Sequence, residues 1–326
     1  MWHIGKVELS NRIVAAPLAG ISNPVYRQIA HDYGAGLTVS EMISDKALHY
    51  QNAKTFDMCR TFPGEHPVSL QLFGSDPITM GEAAKYLTEN TDCDIIDINM
   101  GCPVTKVLKA HSGSWLLNHP DLAYDIVRAV KDNTDRPVTV KIRAGWDKEH
   151  IVCDTFARKM EEAGADAIAV HGRTRSQLYT GESDNSYIKM VKDAVKIPVI
   201  GNGDIRTVAD VHRMYEETGC DAVMIGRGLM GRPFFISEIL ADESGLPYVE
   251  PTYEERIDLC YDYAKKLCEY EEEYTGIHMM RSMAGWYLSG MPYAAQCKAR
   301  LTTVENLQEM LDILTDYRQR ICAHGQ

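Results

Sequence analysis

Eight short apolar runs recur through the first 225 residues with helix-spaced stretches between them, and this alternation constrains the fold more than any other feature. The runs cover 12–17, 37–40, 68–72, 95–99, 138–142, 167–170, 199–201 and 222–225. Between them, the stretch 120–130 puts Leu122, Ile126, Val127 and Val130 on one stripe, and 155–163 and 208–217 behave alike. Gly164 and Gly219 stand just past helix ends, where a left-handed residue is needed. Pro137 and Pro198 open strands, where no ladder N–H is lost. Most runs are apolar on both sides of the pleat, which predicts a parallel sheet covered on both faces. Eight such βα units predict an α/β fold closed into a (β/α)8 TIM barrel. An open doubly wound sheet is the alternative. It would usually carry Gly-x-Gly-x-x-Gly after strand one, where this chain has Ala15-Ala16-Pro17-Leu18-Ala19-Gly20.

The texture changes after Gly231-Arg232-Pro233. Residues 1–241 are read as the barrel domain, 242–251 as a polar linker and 252–326 as an all-helical domain. Thr252 and Glu255 are spaced as a capping box at the start of the helical part. From Glu250 on there are thirteen acidic against eight basic residues. The whole chain is acidic, with 34 Lys and Arg against 46 Asp and Glu, a formal charge of −12. Such a balance does not advertise a nucleic-acid binder, though a local basic rim can sit on an acidic body. Nine dispersed cysteines with no Cys-x-x-Cys and no zinc spacing predict reduced thiols in a cytoplasm and no metal site. No apolar run approaches the ~20 residues of a membrane span, so no membrane partner is expected.

Polar residues gather where the strands end, which is where a TIM barrel builds its active site. Strand three ends in Gln71, strand four in Asn99-Met100-Gly101-Cys102-Pro103, strand five in Lys141-Ile142-Arg143 and strand six in His171-Gly172-Arg173-Thr174-Arg175. Strands seven and eight end in Gly201-Asn202-Gly203-Asp204 and Gly226-Arg227-Gly228. Those glycines would let backbone N–H groups approach a phosphate, in the two units where this fold usually holds one. Two tight βα turns would explain them as well. Lys141 would put a fixed cation where a flavin gains charge on reduction, with Gln71 on the ring's pyrimidine edge. A structural ion pair is the alternative for Lys141. Cys102 lies in a turn followed by Lys106, Lys109 and His111 with no acidic residue. A thiol on such a mobile basic loop can act as an acid or a nucleophile, although most cysteines are simply small buried hydrophobes. Lys106, Lys109, Lys141, Arg143, Arg173, Arg175, Arg206, Arg227 and Arg232 would make a basic rim for an anionic partner.

These motifs resemble the tRNA-dihydrouridine synthase family, nearest its bacterial B type. The resemblance rests on Asn99-Met-Gly-Cys102-Pro103 followed by Val107 and Gly113-Ser114. Ala16-Pro17-Leu18-Ala19-Gly20, Gln71-Leu-Phe-Gly74, Val140-Lys141-Ile-Arg143, His171-Gly-Arg173-Thr-Arg175, Gly201-Asn-Gly-Asp204, Gly226-Arg227-Gly228 and Arg281…Trp286-Tyr287-Leu288 extend it along the chain. It implies an FMN-bearing barrel with a helical tRNA-binding domain, reducing the C5–C6 bond of particular uridines in tRNA with NADPH as reductant. Ala16, Pro17, Leu18, Gln71, Lys141, His171, Asn202, Gly203, Asp204, Gly226 and Arg227 would hold FMN. Cys102 would be the general acid, and Asn99, Arg173 and Arg175 would meet the substrate. A monomer is expected. The chain departs from the family pattern at His111-Ser112, where Gly or Ala is usual, and at Ser282-Met283, where Lys-His is common. A flavin-dependent barrel reductase of a free small molecule, of dihydroorotate or enoate type, is the competing reading. A non-catalytic tRNA-binding protein is the third.

Overall fold

A computed structural model describes residues 2–324, in two units: the first ends at Gly226 and the second begins at Arg227. The first opens with an antiparallel hairpin, β1 (Trp2–Ile4) and β2 (Val7–Leu9). Sequence reading does not foresee it, because three-residue strands carry too little alternation to register. Eight parallel strands follow: β3 (Ile13–Ala15), β4 (Leu37–Ser44), β5 (Val68–Phe73), β6 (Ile95–Met100), β7 (Val138–Arg143), β8 (Ala167–His171), β9 (Val199–Asn202) and β10 (Ala222–Ile225). They close into a barrel in the order β10-β3-β4-β5-β6-β7-β8-β9, one strand for each apolar run, as the TIM-barrel expectation required.

The connections carry α1 (Pro24–Asp32), α2 (Asp45–His49), α3 (Ala53–Met58), α4 (Pro77–Asn90), α5 (Thr105–Lys109), α6 (Pro120–Asp132), α7 (Cys153–Glu162), α8 (Asn185–Ala194) and α9 (Val208–Thr218). Local chemistry sets their ends. Pro77 and Pro120 sit in the first turns of α4 and α6, where a missing N–H costs nothing. Thr207 and Asp210 close a capping box on α9, and Gly219 ends that helix at φ +65.

Strand residues two apart share a face. The inward face begins apolar: Val14, Leu37, Ile95, Ala167, Ala169, Ile200 and Ala222 form one buried cluster with Ile4 and Leu9 of the hairpin, which thereby closes that end of the barrel. Each fully buried Ile or Leu contributes about 1.5–3 kcal/mol. Toward the carboxyl ends the same face turns polar, running from Ile95 to Asp97 and Asn99, from Ala169 to His171 and from Ile200 to Asn202. The register then places these side chains abreast. Gln71 pairs with Asp97, Asp97 with Thr139, Asn99 with Lys141, and His171 with Asn202.

Strand β4 runs past the expected end at Ser40, through a register shift between Val39 and Met42. The bulge is stabilised by the Ser40 hydroxyl, which accepts the Gln71 backbone N–H at 3.0 Å.

The second unit starts with a 3-10 turn (Arg227–Leu229) and then α10 (Phe235–Glu243), α11 (Tyr253–Tyr270), α12 (Glu273–Tyr287), α13 (Ala294–Leu301) and α14 (Leu307–His324). The break therefore falls before the expected residue 241. Phe234, Phe235, Ile236 and Ile239 of this segment are buried. The Thr252–Glu255 capping box forms as its spacing predicts. Arg281 donates from Nε to the Val304 carbonyl at 2.7 Å. Among the described residues, no helix is long and apolar enough to cross a membrane.

Candidate active site

The polar end of the barrel carries two hydrogen-bonded groups, one running from Thr139 and Asp97 to the Cys102 turn and one from Lys141 to Asn202. Asp97 is 4% exposed, accepts from Gln71 Nε2 at 2.6 Å on one oxygen and from the Thr139 hydroxyl on the other. Gln71 Oε1 accepts from Asn99 Nδ2 at 2.8 Å. Asn99 Oδ1 in turn accepts the backbone N–H groups of Gly101 at 3.2 Å and Cys102 at 2.9 Å. Lys141 Nζ donates to Asn202 Oδ1 at 3.2 Å, and Asn202 Nδ2 donates to the Met224 carbonyl at 2.7 Å. Gln71, Asn99, Lys141 and Asn202, all expected at the site, thus converge with the backbone of Cys102. Asp97 and Thr139 were not foreseen. Their signal was the two-residue spacing of Asp97 and Asn99, which puts a carboxylate on the inward face of a strand that otherwise reads as apolar.

Burial dominates the titration of this set. It pushes the Asp97 carboxyl up to about 6, against the lowering effect of its two hydrogen bonds and of Lys141. It pulls Lys141 down to about 8, with Arg143 adding repulsion. The Cys102 thiol is raised, again by burial, while the Val104 backbone N–H and the charges of Arg143 and Lys141 pull it back. A thiol so raised keeps its proton at neutral pH, which suits an acid rather than a thiolate nucleophile.

The segment after Cys102, expected as a mobile loop, is instead α5 and a 3-10 turn (Gly113–Asn118). Ser114 ties the turn back, with its N–H and hydroxyl both donating to the Cys102 carbonyl, at 3.1 and 2.9 Å. Lys106, Lys109 and His111 are exposed along it. On the other side, Arg143 is 3% exposed and donates to the carbonyls of Gly101, Thr174 and Leu178 at 2.8–2.9 Å. It clamps the Cys102 turn to the loop after β8, and is not part of a solvent-facing rim.

Arg173 is corrected in the same way. It is 2% exposed, and all five of its N–H groups are engaged: Nε with the Thr180 carbonyl, Nη1 with Asp204 and His171, and Nη2 with Asp204 and the Gly181 carbonyl. No donor is left for a substrate, and Arg173 instead neutralises Asp204. Arg175 is half-buried with its guanidinium 4.5 Å from the centroid of the Trp146 ring.

At the ends of β9 and β10 the glycines have different reasons. A Cβ on Gly201 would come within 2.8 Å of Met214 Sδ, so this glycine answers to the packing of α9 and leaves the expected phosphate set. Gly203 has φ +147, and a Cβ there would run into the Ser183 side chain. The Ser183 hydroxyl is buried without a hydrogen-bond partner. A Cβ on Gly226 would meet only ordinary contacts, Leu18 at 3.5 Å and Ala16 at 3.6 Å, so protein packing does not demand this glycine. An unpartnered hydroxyl packed against the Gly203 turn, and a glycine at 226 that the protein itself does not require, both fit an anionic group lying against the backbone. Ala16 is buried, its N–H on the Ile225 carbonyl, while Pro17 and Leu18 are partly exposed beside it. Arg227 opens the second unit.

Comparison with known proteins places the chain in a family. Residues 13–322 match the family model described as dihydrouridine synthase (Dus). The chain is 38% identical over 322 residues to "tRNA-dihydrouridine synthase B" of Vibrio vulnificus, covering 98% of this chain and 99% of that one. It is 38% identical over 318 residues to the protein of the same name in Salmonella typhimurium, covering 96% and 98%. Among solved structures, an amine oxidase for 6-hydroxypseudooxynicotine from Pseudomonas geniculata matches with TM-score 0.57 at 15% identity, over 74% of this chain and 48% of that one. A structure of TcOYE with pHBA matches with TM-score 0.54 at 14% identity, over 77% and 93%. At those identities the two structures speak for the barrel alone. The family model and the full-length relatives carry the assignment, and with the Asn99–Cys102 turn set at the mouth of a closed barrel, the chain belongs to the dihydrouridine synthase family of oxidoreductases.

Proposed function

We propose that this chain reduces the C5–C6 double bond of particular uridines in tRNA to 5,6-dihydrouridine, working as a cytoplasmic monomer with bound FMN and with NADPH as reductant. The flavin, once reduced, would supply a hydride to C6 of the uracil. Ala16, Pro17, Leu18, Gln71, Lys141, His171, Asn202, Gly203, Gly226 and Arg227 would hold it, with Asp204 contributing through its backbone while its carboxylate faces Arg173. Lys141, protonated near neutral pH, offers the positive charge that a ring accumulating electrons calls for. Asn99 binds a carbonyl edge of the uracil. Cys102 carries the proton that the substrate needs at C5, and its raised pKa keeps that proton in place until it is taken. The target base must leave the RNA stack to reach a barrel mouth, and Lys106 and Lys109 would hold backbone phosphates as it does. The segment 252–326 is proposed as a second tRNA contact.

The observation that carries this reading is the turn that holds Cys102 against Asn99 at the polar end of the barrel, on the strand beside Lys141. The test is dihydrouridine mapping on tRNA from cells lacking the protein, with add-back of the wild type and of Cys102→Ala. Specific sites should lose dihydrouridine and regain it with the wild type. Cys102→Ala should purify yellow with normal flavin content, yet form dihydrouridine about 100-fold or more slowly, the usual range for loss of a general acid. Full activity in that variant would remove Cys102 from the mechanism, and a colourless wild type that cannot be reconstituted with FMN would remove the cofactor.

A further inference from the structure

We propose that Asp97 is a positioning residue that sets the hydrogen-bond direction of the whole active-site mouth, holding the Cys102 turn and leaving Asn99 to present an N–H to the pyrimidine. The inference rests on the function proposed above and extends it to a residue that touches neither cofactor nor base.

Hydrogen-bond polarity decides which way each amide turns. An ionised carboxylate only accepts hydrogen bonds, whereas a carboxamide has one accepting and one donating end. Asp97 is buried, takes the Thr139 hydroxyl on one oxygen and Gln71 Nε2 on the other. Gln71 must therefore turn its Nε2 toward Asp97 and its Oε1 toward Asn99. Asn99 must then turn Nδ2 toward Gln71 and Oδ1 toward the N–H groups of Gly101 and Cys102. Reversing Gln71 would face an amide oxygen to the carboxylate and an N–H to the N–H of Asn99. The backbone donors at the far end demand the same order independently, so both ends of the relay agree on one arrangement. Lys141 is the charge that bears on Asp97 and favours its ionised form. One Nδ2 hydrogen of Asn99 goes to Gln71 and the second is left for a ligand carbonyl, the group uracil carries at C4 and cytosine does not.

The experiment compares wild type, Asp97→Asn and the exchanged pair Asp97→Asn/Gln71→Glu as cofactor-loaded full chains. Asparagine keeps the shape of Asp97 but can face Gln71 with either end, so the direction of the relay then rests on the Gly101 and Cys102 donors alone and the hold on the turn weakens. The exchanged pair puts the acceptor-only group one link along, where it takes the Nδ2 of the introduced asparagine and the Nδ2 of Asn99 together. Amide hydrogen exchange at Gly101 and Cys102 should be about tenfold faster in Asp97→Asn, and kcat on tRNA about tenfold lower with KM within about twofold, the scale of one charge-assisted hydrogen bond. The exchanged pair should recover most of the exchange protection. A group that merely fills space would leave Asp97→Asn within about twofold of wild type in both readouts, and that result overturns the proposal. So does an exchanged pair no better protected than the single variant. Should Asp97→Asn not fold, Gln71→Glu and the exchanged pair make the same comparison: better protection in the pair supports the relay and worse protection overturns it. The exchange readout needs no substrate. A wild type that forms no dihydrouridine in tRNA sinks the functional reading, while the exchange comparison still decides the relay.

Discussion

Asp97 and Lys141 have opposite charges, lie on adjacent strands and are shifted by the same burial in opposite senses. Asp97 is neutral below about 6 and ionised above it. Lys141 is charged below about 8 and neutral above it. Both are charged only between those limits, so the mouth has its full electrostatic form in that window alone. The expected pH profile of kcat is a bell, with its acid limb near the Asp97 value and its alkaline limb near the Lys141 value. Substituting Asp97 by Asn should erase the acid limb, and substituting Lys141 by Met the alkaline one. Initial rates at saturating reductant across pH would check this; a wild-type profile flat through both limits would show that neither group governs the chemistry.

At the scale of elements, the turns after β9 and β10 separate what glycine does for the fold from what it does for a ligand. Gly226→Ala adds a methyl that meets only ordinary contacts, so the flavin-free protein should melt within a degree or two of wild type. Flavin affinity should nevertheless drop several-fold, because the added carbon occupies the approach to the backbone. Gly203→Ala should lose stability as well, by about 1–3 kcal/mol, since φ +147 is closed to alanine and its Cβ meets Ser183. Thermal melts and flavin absorbance on both variants would check the contrast, and unchanged flavin binding in Gly226→Ala would take β10 out of the cofactor site. The same turns mark how far sequence reading reaches. All eight barrel strands were legible because a parallel strand buried on both faces is a run of apolar residues bounded by Gly and Pro. Gln71, Asn99, Lys141 and Asn202 were legible as polar residues at strand ends. Arg143 and Arg173 were misread as rim charges, since a sequence shows a charge but not the carbonyls and the Asp204 carboxylate that come to meet it. Gly201 was misread because its partner, Met214, lies on the following helix and enters only when α9 packs back on the barrel.

For the whole molecule, the question is how a chain of net charge −12 would receive a polyanion. Distance decides it. At about 0.15 M salt the Debye length is about 8 Å, so the acidic body would be screened from an RNA docked at the mouth, while Lys106 and Lys109 on α5 would act at contact range. At very low salt the screening fails and the body repels the RNA; at high salt the contacts themselves weaken, because releasing bound counterions then gains little entropy. For the proposed tRNA substrate, kcat/KM should therefore pass through a maximum between about 20 mM and about 0.5 M salt, where a uniformly basic binder would decline throughout. Lys106→Gln/Lys109→Gln should lower kcat/KM about tenfold near the maximum and flatten the high-salt decline, through KM and with flavin content unchanged. Steady-state rates over that salt range would check it. A monotonic decline in the wild type would mean that attraction outweighs the body's charge at every distance, and an unaffected double variant would move the phosphate contacts away from α5.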